Sequence, residues 1–382
     1  MTYEFPPKQF NPLIEARPKL EATRVFKSDF DLAIAGFDGV IQEHTVAFSQ
    51  ARWPKVSLEP WIFKAEGAAK AGALVLVQKL PLKLGHIAVL KWGPVLADES
   101  AADALQIETS VITFLKAHYA IDRGMMLTVM AKAYDQKSAP VFDWLLSNGF
   151  DAAKALPFPM RYRINVRLSD ADQQGSFAQK WRYHLHKSEK AGLEFEVAGI
   201  EQLQRFQKLY DAMTDRKNFP DYSAYNTLPN FVANLPLRLK PKLFFITHAG
   251  LDVAGAVVFT GARTASYLYG ATSDQALPLR AGYWLHARII SWLRDHTKAQ
   301  WYDLGGSDGF QGLHQFKKGM VGSSGRLVQV PAAANFTAGL WPSVTGYGAY
   351  FARDFVFRVC GTLNMLRGRY AKPDQAKHEA GD

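Results

Sequence analysis

Between Val253 and Gly319 the hydrophobic positions change their period three times. The runs VAGAVVFT and TASYLYGAT are β-branched and aromatic, follow turn residues at Gly250 and Asp252, and are separated by Gly261, which predicts a hairpin. The next stretch, AGYWLHARIISWLRDH, repeats at helical spacing, with Leu285, Ile289, Trp292 and Leu293 on one face and Arg288, Arg294 and Asp295 elsewhere. WYDLGG returns to a short strand that ends in glycines, and GLHQFKKG follows it. The predicted order is strand, strand, helix, strand.

The first half repeats that order with AGALVLVQKLP, GHIAVLKWGPVL, a helical stretch from about Ala102 to His118, and MMLTVMA. Gly72 and Gly255 hold similar places in AGALV and AGAVV, so duplication of one αβ unit explains the pattern economically; chance recurrence of a common order is the alternative. In LPFPMRYRI, Pro157 and Pro159 interrupt helix and central strand alike, which places a boundary near residue 160 before a new strand over 161–168. Helical spacing resumes at Leu203, Phe206, Tyr210 and Met213. The Pro- and aromatic-rich FPDYSAYNTLPNF then reads either as a pocket-lining loop or as an aromatic plug.

With 382 residues, 48% of them hydrophobic and 13% aromatic, the chain is long enough for two packed units. No apolar run reaches the roughly 18 residues of a membrane span, and the opening MTYEFPPKQF lacks the regions of a signal peptide. A cytoplasmic location is the expectation. The lone Cys360 excludes an internal disulfide and a multi-cysteine metal site. All of the +10 net charge falls after residue 160, giving a second unit that suits polyanions or an anionic membrane face, or that is simply soluble. In the last fifty residues Arg353, Arg358, Arg367 and Arg369 alternate with aromatics, as in a helix docked on the second domain or one lying at a membrane interface.

The phrases YDLGG and GLHQFKKG, the strand and helix order before them, and WRYHLHKSEKAGLEFEV at Trp181–Val197 together resemble the FemABX family of peptidoglycan-bridge aminoacyltransferases, over roughly residues 160–330. The resemblance implies an α+β chain of two tandem GNAT-like acyltransferase domains, each a mixed central sheet flanked by helices. With the breaks above, the expected units are 1–160, 161–335, and an aromatic and basic helical tail, 336–382. The long heptad arm that some members insert after residue 175 is missing here. The implied activity moves an aminoacyl group from aminoacyl-tRNA to an amine of a peptidoglycan precursor, with no bound cofactor.

Acyl transfer to an amine needs a proton acceptor, a stabilised oxyanion and a counter-charge for donor phosphate. Lys317 and Lys318 follow Phe316 after a glycine-rich turn, so an ammonium could hold phosphate while the ring packs beside a base; an exposed basic turn is the plain alternative. Asp303, at a strand end before Gly305 and Gly306, could take the amine proton or cap a turn. Tyr269 could offer a hydroxyl near the same sheet edge or pack in the core. Lys180, His184 and Lys187 recur at helical spacing beside Arg182; the resemblance assigns Arg182 and Lys187 to precursor or tRNA contacts. In LPLRAGYW, Arg280 and Gly282 supply part of an acyl-CoA pyrophosphate loop, but Tyr283 and Trp284 crowd it, which favours tRNA over CoA as donor. No metal-ligand spacing, nucleophile elbow or P-loop occurs. Other classes kept open are an acyl-CoA-dependent N-acyltransferase for an envelope sugar or other amine, and a non-catalytic RNA- or membrane-binding protein.

Overall fold

The structure, a computed structural model, describes residues 19–135, 139–217 and 225–370, with the side chains of 135, 216, 217 and 357–370 excepted. The strands before residue 160 are β1 (Glu21–Arg24), β2 (Ser57–Ala65), β3 (Ala68–Lys79), β4 (His86–Lys91), β5 (Val95–Leu96), β6 (Met126–Met130), β7 (Tyr134–Asp135) and β8 (Asp151–Ala152). Those after it are β9 (Met160–Asn165), β10 (Glu194–Ala198), β11 (Lys242–His248), β12 (Leu251–Phe259), β13 (Thr264–Thr272), β14 (Trp301–Asp303), β15 (Arg326–Gln329) and β16 (Ala334–Phe336). The helices are α1 (Lys27–Ile34), α2 (Val46–Arg52), α3 (Ala104–Leu115), α4 (Pro140–Ser147), α5 (Asp170–Ser176), α6 (Gln179–Glu189), α7 (Leu203–Lys217), α8 (Leu228–Asn234), α9 (Ala276–Leu279), α10 (Ala281–His296), α11 (Gln311–Val321) and α12 (Leu340–Tyr370).

Two mixed eight-stranded sheets result, in the orders β1-β2-β3-β4-β6-β16-β8, with β5 beside β3, and β10-β11-β12-β13-β14-β9-β15-β7. The expected tandem arrangement of helix-flanked mixed sheets is therefore present. The hairpin forms as predicted, with β12 and β13 antiparallel from Ala254↔Thr272 to Phe259↔Ser266. Its alternation separates two cores: Phe244, Val258 and Ala256 pack with α10 through Leu285, Ile289 and Leu293, whereas Phe245, Val257 and Phe259 face the first half. That second face shares one core with α1, α2, α7 and α8, where Phe48 and Phe231 meet edge to face at 5.6 Å between ring centres. The described end of the aromatic loop belongs here too: Tyr225 stacks 3.7 Å from Tyr210 and Phe231 is fully buried, so this part plugs the core, while 219–224 lie outside the described residues.

Each sheet is completed by a strand from the other half. β16 returns after the whole second sheet to lie between β6 and β8, and β7 crosses the other way to pair with β15. That return sets the course of the tail. α12 starts four residues beyond β16, beside β6, so Ala349 and Tyr350 pack on Leu80, Ile87 and Met126 of the first half, and the Tyr350 hydroxyl lies 2.6 Å from that of Thr128. The docking on the second domain expected from the sequence is corrected accordingly. Arg353 pairs with Asp354 on the exposed side, and the side chains of Arg358, Cys360, Arg367 and Arg369 lie outside the description. No helix among the described residues is long and apolar enough to cross a membrane.

Gly322 ends α11 with φ 57° and ψ −144°, a conformation open essentially to glycine alone. A Cβ there would run into the Ser176 carbonyl oxygen. Gly322→Ala is expected to cost about 2–3 kcal/mol, read as a lower urea midpoint at unchanged slope; an unchanged midpoint would show that the turn can re-form with a side chain.

Candidate active site

β13 and β14 run parallel for only three pairs, Thr264↔Trp301 to Ser266↔Asp303. Beyond these β13 stays with β12, whereas the chain after Asp303 turns away through Leu304, Gly305 (φ 71°) and Gly306. Parallel strands that part inside a sheet leave backbone polar groups facing a gap, where a bound ligand can pair with them. α10 follows the first of these strands and α11 the second, both on the face to which Tyr302 points, where its hydroxyl meets His286 Nδ1 at 3.2 Å.

Lys317 reaches from α11 to the point of divergence. Its Nζ is buried and donates to the carbonyls of Leu304 at 2.6 Å and Gly306 at 2.5 Å, which leaves one of three ammonium hydrogens. Burial pushes its pKa down to about 8, against the opposing pull of Asp308 and Asp303. Phe316 stands beside it on an aromatic shelf, with ring centres 5.0 Å from Tyr283, 5.6 Å from His286 and 6.2 Å from Trp181.

Asp303 points to the opposite face of β14 and is 3% exposed. It accepts from Arg161 Nε at 3.1 Å, Arg163 Nε at 3.3 Å and the Gly305 N–H at 2.8 Å. Burial alone would raise its pKa, but the two guanidiniums outweigh that and hold it below the usual carboxylate range. So paired, Asp303 is suited to fixing Arg161 and Arg163 and ill suited to taking up a proton near neutral pH.

On this face a cavity of about 420 Å³ lies between the two sheets, with Arg161, Arg163 and Asp303 on its second-sheet wall. The first-sheet wall carries Gln42, His44, Trp92, Glu99, Glu108 and Lys132. The local sequence fixes that wall. Asp31 of α1 accepts from the N–H groups of Val46 and Ala47 and Thr45 caps Phe48 N–H, so α2 is anchored and the 42–44 turn before it is held in place. His44 accepts from Ile41 N–H at Nδ1 and donates from Nε2 to the Trp92 carbonyl at 3.2 Å, an assignment made from these partners, and burial drops its pKa to about 3. Trp92 (φ 62°) and Gly93 (φ 66°) are both left-handed, and a Cβ at Gly93 would lie 2.7 Å from Glu108 Oε1. Lys132 and Glu99 pair at 2.6 Å, and burial raises Glu108 to about 7.

The other residues singled out from the sequence are spread over three places. Lys318 and Arg182 line one open groove of about 1200 Å³ between α6, α11 and β15, together with Lys180 and Arg326, although Arg182 is committed to the carbonyls of Gly175 and Phe177. Lys187 is exposed on α6 and does not line that groove. Tyr269 is in the shared core against Tyr210 and Tyr225, away from both openings. Arg280 (φ 57°) joins α9 to α10; the space beside Gly282 is open, and Tyr283 turns inward to Trp181 and Phe316 rather than crowding the helix start. Sequence reasoning missed the cavity wall. Two signals pointed to it: Arg161 and Arg163 at strand spacing, and Glu108 on the apolar face of α3 with Val111 and Ile112.

Residues 175–318 match the family model described as an acetyltransferase (GNAT) domain. With the parted strands and the tandem sheets, this marks residues 175–318 as an acyltransferase domain of the GNAT type within a chain of FemABX-like fold. Among solved structures, that of FemX is similar with a TM-score of 0.67 at 15% identity, covering 83% of this chain and 97% of the other. The C-terminal domain of a putative lysylphosphatidylglycerol synthetase from Agrobacterium fabrum gives 0.53 at 15% identity, covering 85% and 96%. L-PGS from Bacillus licheniformis gives 0.51 at 13%, covering 86% and 95%. At these identities the likeness is one of fold. No curated protein matches the sequence.

Proposed function

We propose that the protein transfers an aminoacyl group from aminoacyl-tRNA to an amine of a peptidoglycan precursor peptide. The observation that carries this reading is Lys317, a buried ammonium fixed at the parting of β13 and β14, with the polar cavity on the opposite face of β14. The acceptor amine occupies the cavity side and attacks the donor ester carbonyl directly. The C–N bond forms, the ester C–O bond breaks, and the tRNA hydroxyl leaves with a proton. The remaining Lys317 hydrogen is available to the carbonyl oxygen as charge develops. Lys180, Lys318 and Arg326 in the open groove offer counter-charge to donor phosphates, and Phe316, packed with Trp181 and Tyr283, offers a ring beside Lys317. A lipid-linked acceptor would bring the protein to a membrane face, and Trp341, Phe351 and Phe355 stand exposed on α12 for that contact.

An acyl-CoA donor is the second reading, favoured by the open backbone at Gly282 where α10 begins. Labelled aminoacyl-tRNA and labelled acyl-CoA, each offered with a muropeptide and scored by mass, separate the two. Transfer from tRNA is expected, with KM for the tRNA rising at least about 10-fold between 50 and 200 mM salt and Lys318→Glu raising it further. Transfer from CoA alone, indifferent to salt and to Lys318→Glu, would replace the tRNA reading.

A further inference from the structure

We propose that the cavity between the sheets binds an amino carboxylate, a ligand with an ammonium at one end and a carboxylate at the other, held by Gln42 and Glu108 at the first end and by Arg161 and Arg163 at the second. Calling this ligand the acceptor rests on the acyl-transfer reading; its binding does not.

Among the described residues, three buried polar atoms of the cavity wall meet no hydrogen-bond partner: Gln42 Oε1, Trp92 Nε1 and Glu108 Oε1. Glu108 is 6% exposed. Leaving a buried acceptor unpaired costs about 1–3 kcal/mol, more for a charged one, so orphans gathered around one cavity point to a group that arrives from outside. Two unpaired acceptors on the first-sheet wall call for a donor-rich partner, and an ammonium carries three donors and no acceptor. Lys132 does not fill that role alone, because its Nζ donates to Glu99 at 2.6 Å. The Trp92 indole N–H asks for the reverse, an oxygen on the same ligand.

The second-sheet end is complementary. Arg161 and Arg163 both spend Nε on the single carboxylate of Asp303, and among the described residues their terminal nitrogens meet no protein acceptor. Both guanidiniums keep free planar forks, a geometry matched to an incoming carboxylate, with Glu43 in electrostatic reach of Arg161 and Glu99 of Arg163. A simple cation would leave this end unmatched, and a simple anion would leave Glu108 and Gln42 unmatched. A zwitterion satisfies both without adding net charge to a buried space. The volume of about 420 Å³ is within the range of small-molecule sites and suits one or two amino-acid units.

The test is calorimetric titration of the full chain, without any donor, using a series of ω-amino acids from β-alanine to aminooctanoate, with alkylamines and alkanoates of matching length as controls. One member of the series is expected to bind at least tenfold tighter than both of its matched controls. Glu108→Gln should erase its advantage over the alkanoate, and Arg163→Gln its advantage over the alkylamine. If Arg163→Gln is unfolded by its own melting curve, Gln42→Ala, expected to weaken the best ω-amino acid at least threefold and leave the alkanoate unchanged, stands in for it. No binding by any member, equal binding of amino acids and controls, or affinity indifferent to the variants would overturn the proposal. Binding without transfer would retire the acyl-transfer reading and keep the site; transfer without binding would do the opposite.

Discussion

Lys317→Met is expected to lower turnover by about 10²- to 10³-fold with little change in the KM of either substrate, since the lost hydrogen bond strengthens only as charge develops on the carbonyl oxygen. The pH profile gives an independent reading. With its pKa lowered to about 8 by burial, Lys317 loses its proton as pH rises through that value, so wild-type turnover should fall on the alkaline side of about pH 8. Asp303, held below the usual carboxylate range, and Arg161, held above the usual arginine value, keep their charges in that window. Lys317→Arg keeps the charge and should flatten the alkaline limb. Unfolding does not explain a loss in the methionine variant. The folded chain binds fewer protons than the unfolded one between about pH 8 and the ordinary lysine value of 10.5, so burying the ammonium costs about 3 kcal/mol at neutral pH. Removing it relieves that cost and offsets the two carbonyls left without a donor. Turnover unchanged in Lys317→Met would end its assignment to the reacting carbonyl.

Asp303→Asn should act chiefly on stability. It leaves Arg161 and Arg163 together without their counter-charge, and breaking such a pair costs about 3–5 kcal/mol, a fall in Tm on the order of 10 °C. Because the folded pKa lies below the ordinary 3.8, the Asp303 contribution is full above that value and is lost as pH falls through the depressed folded pKa. The stability gap between wild type and variant should therefore be wide at pH 7 and close in strong acid, as urea midpoints at several pH values will show. A variant as stable as wild type that had lost the acid-side limb of its pH profile would instead make Asp303 the proton acceptor.

The β12–β13 hairpin and α10 were legible because each follows a single period over many residues and each is local. Lys317 was also visible, since a lysine pair behind an aromatic and a glycine-rich turn is a short-range pattern. What stayed hidden was long-range. Nothing in AANF marks β16 as the partner of Val129 rather than of its sequence neighbours, because a three-residue strand carries almost no periodicity. Asp303 was readable as a carboxylate at a strand end, but its protonation behaviour depends on Arg161 and Arg163, brought beside it by β9 pairing with β14. Likewise Gln42, Trp92 and Glu108 come from a turn, a left-handed loop and a helix that only the fold assembles into one wall. Tyr269 shows the converse: strand alternation assigns it a face without saying that the face is core.

The return of β16 also has a consequence for biosynthesis. β6 is synthesised some 200 residues before the strand that must lie beside it, an interval of roughly 10–40 s at ribosomal speed. Through that time the nascent amino-terminal sheet carries an open hydrogen-bonding border, with the face later covered by α12 still bare. The older half is thus finished by a strand made some 200 residues later, and the border of the nascent sheet stays open until Phe336 has emerged.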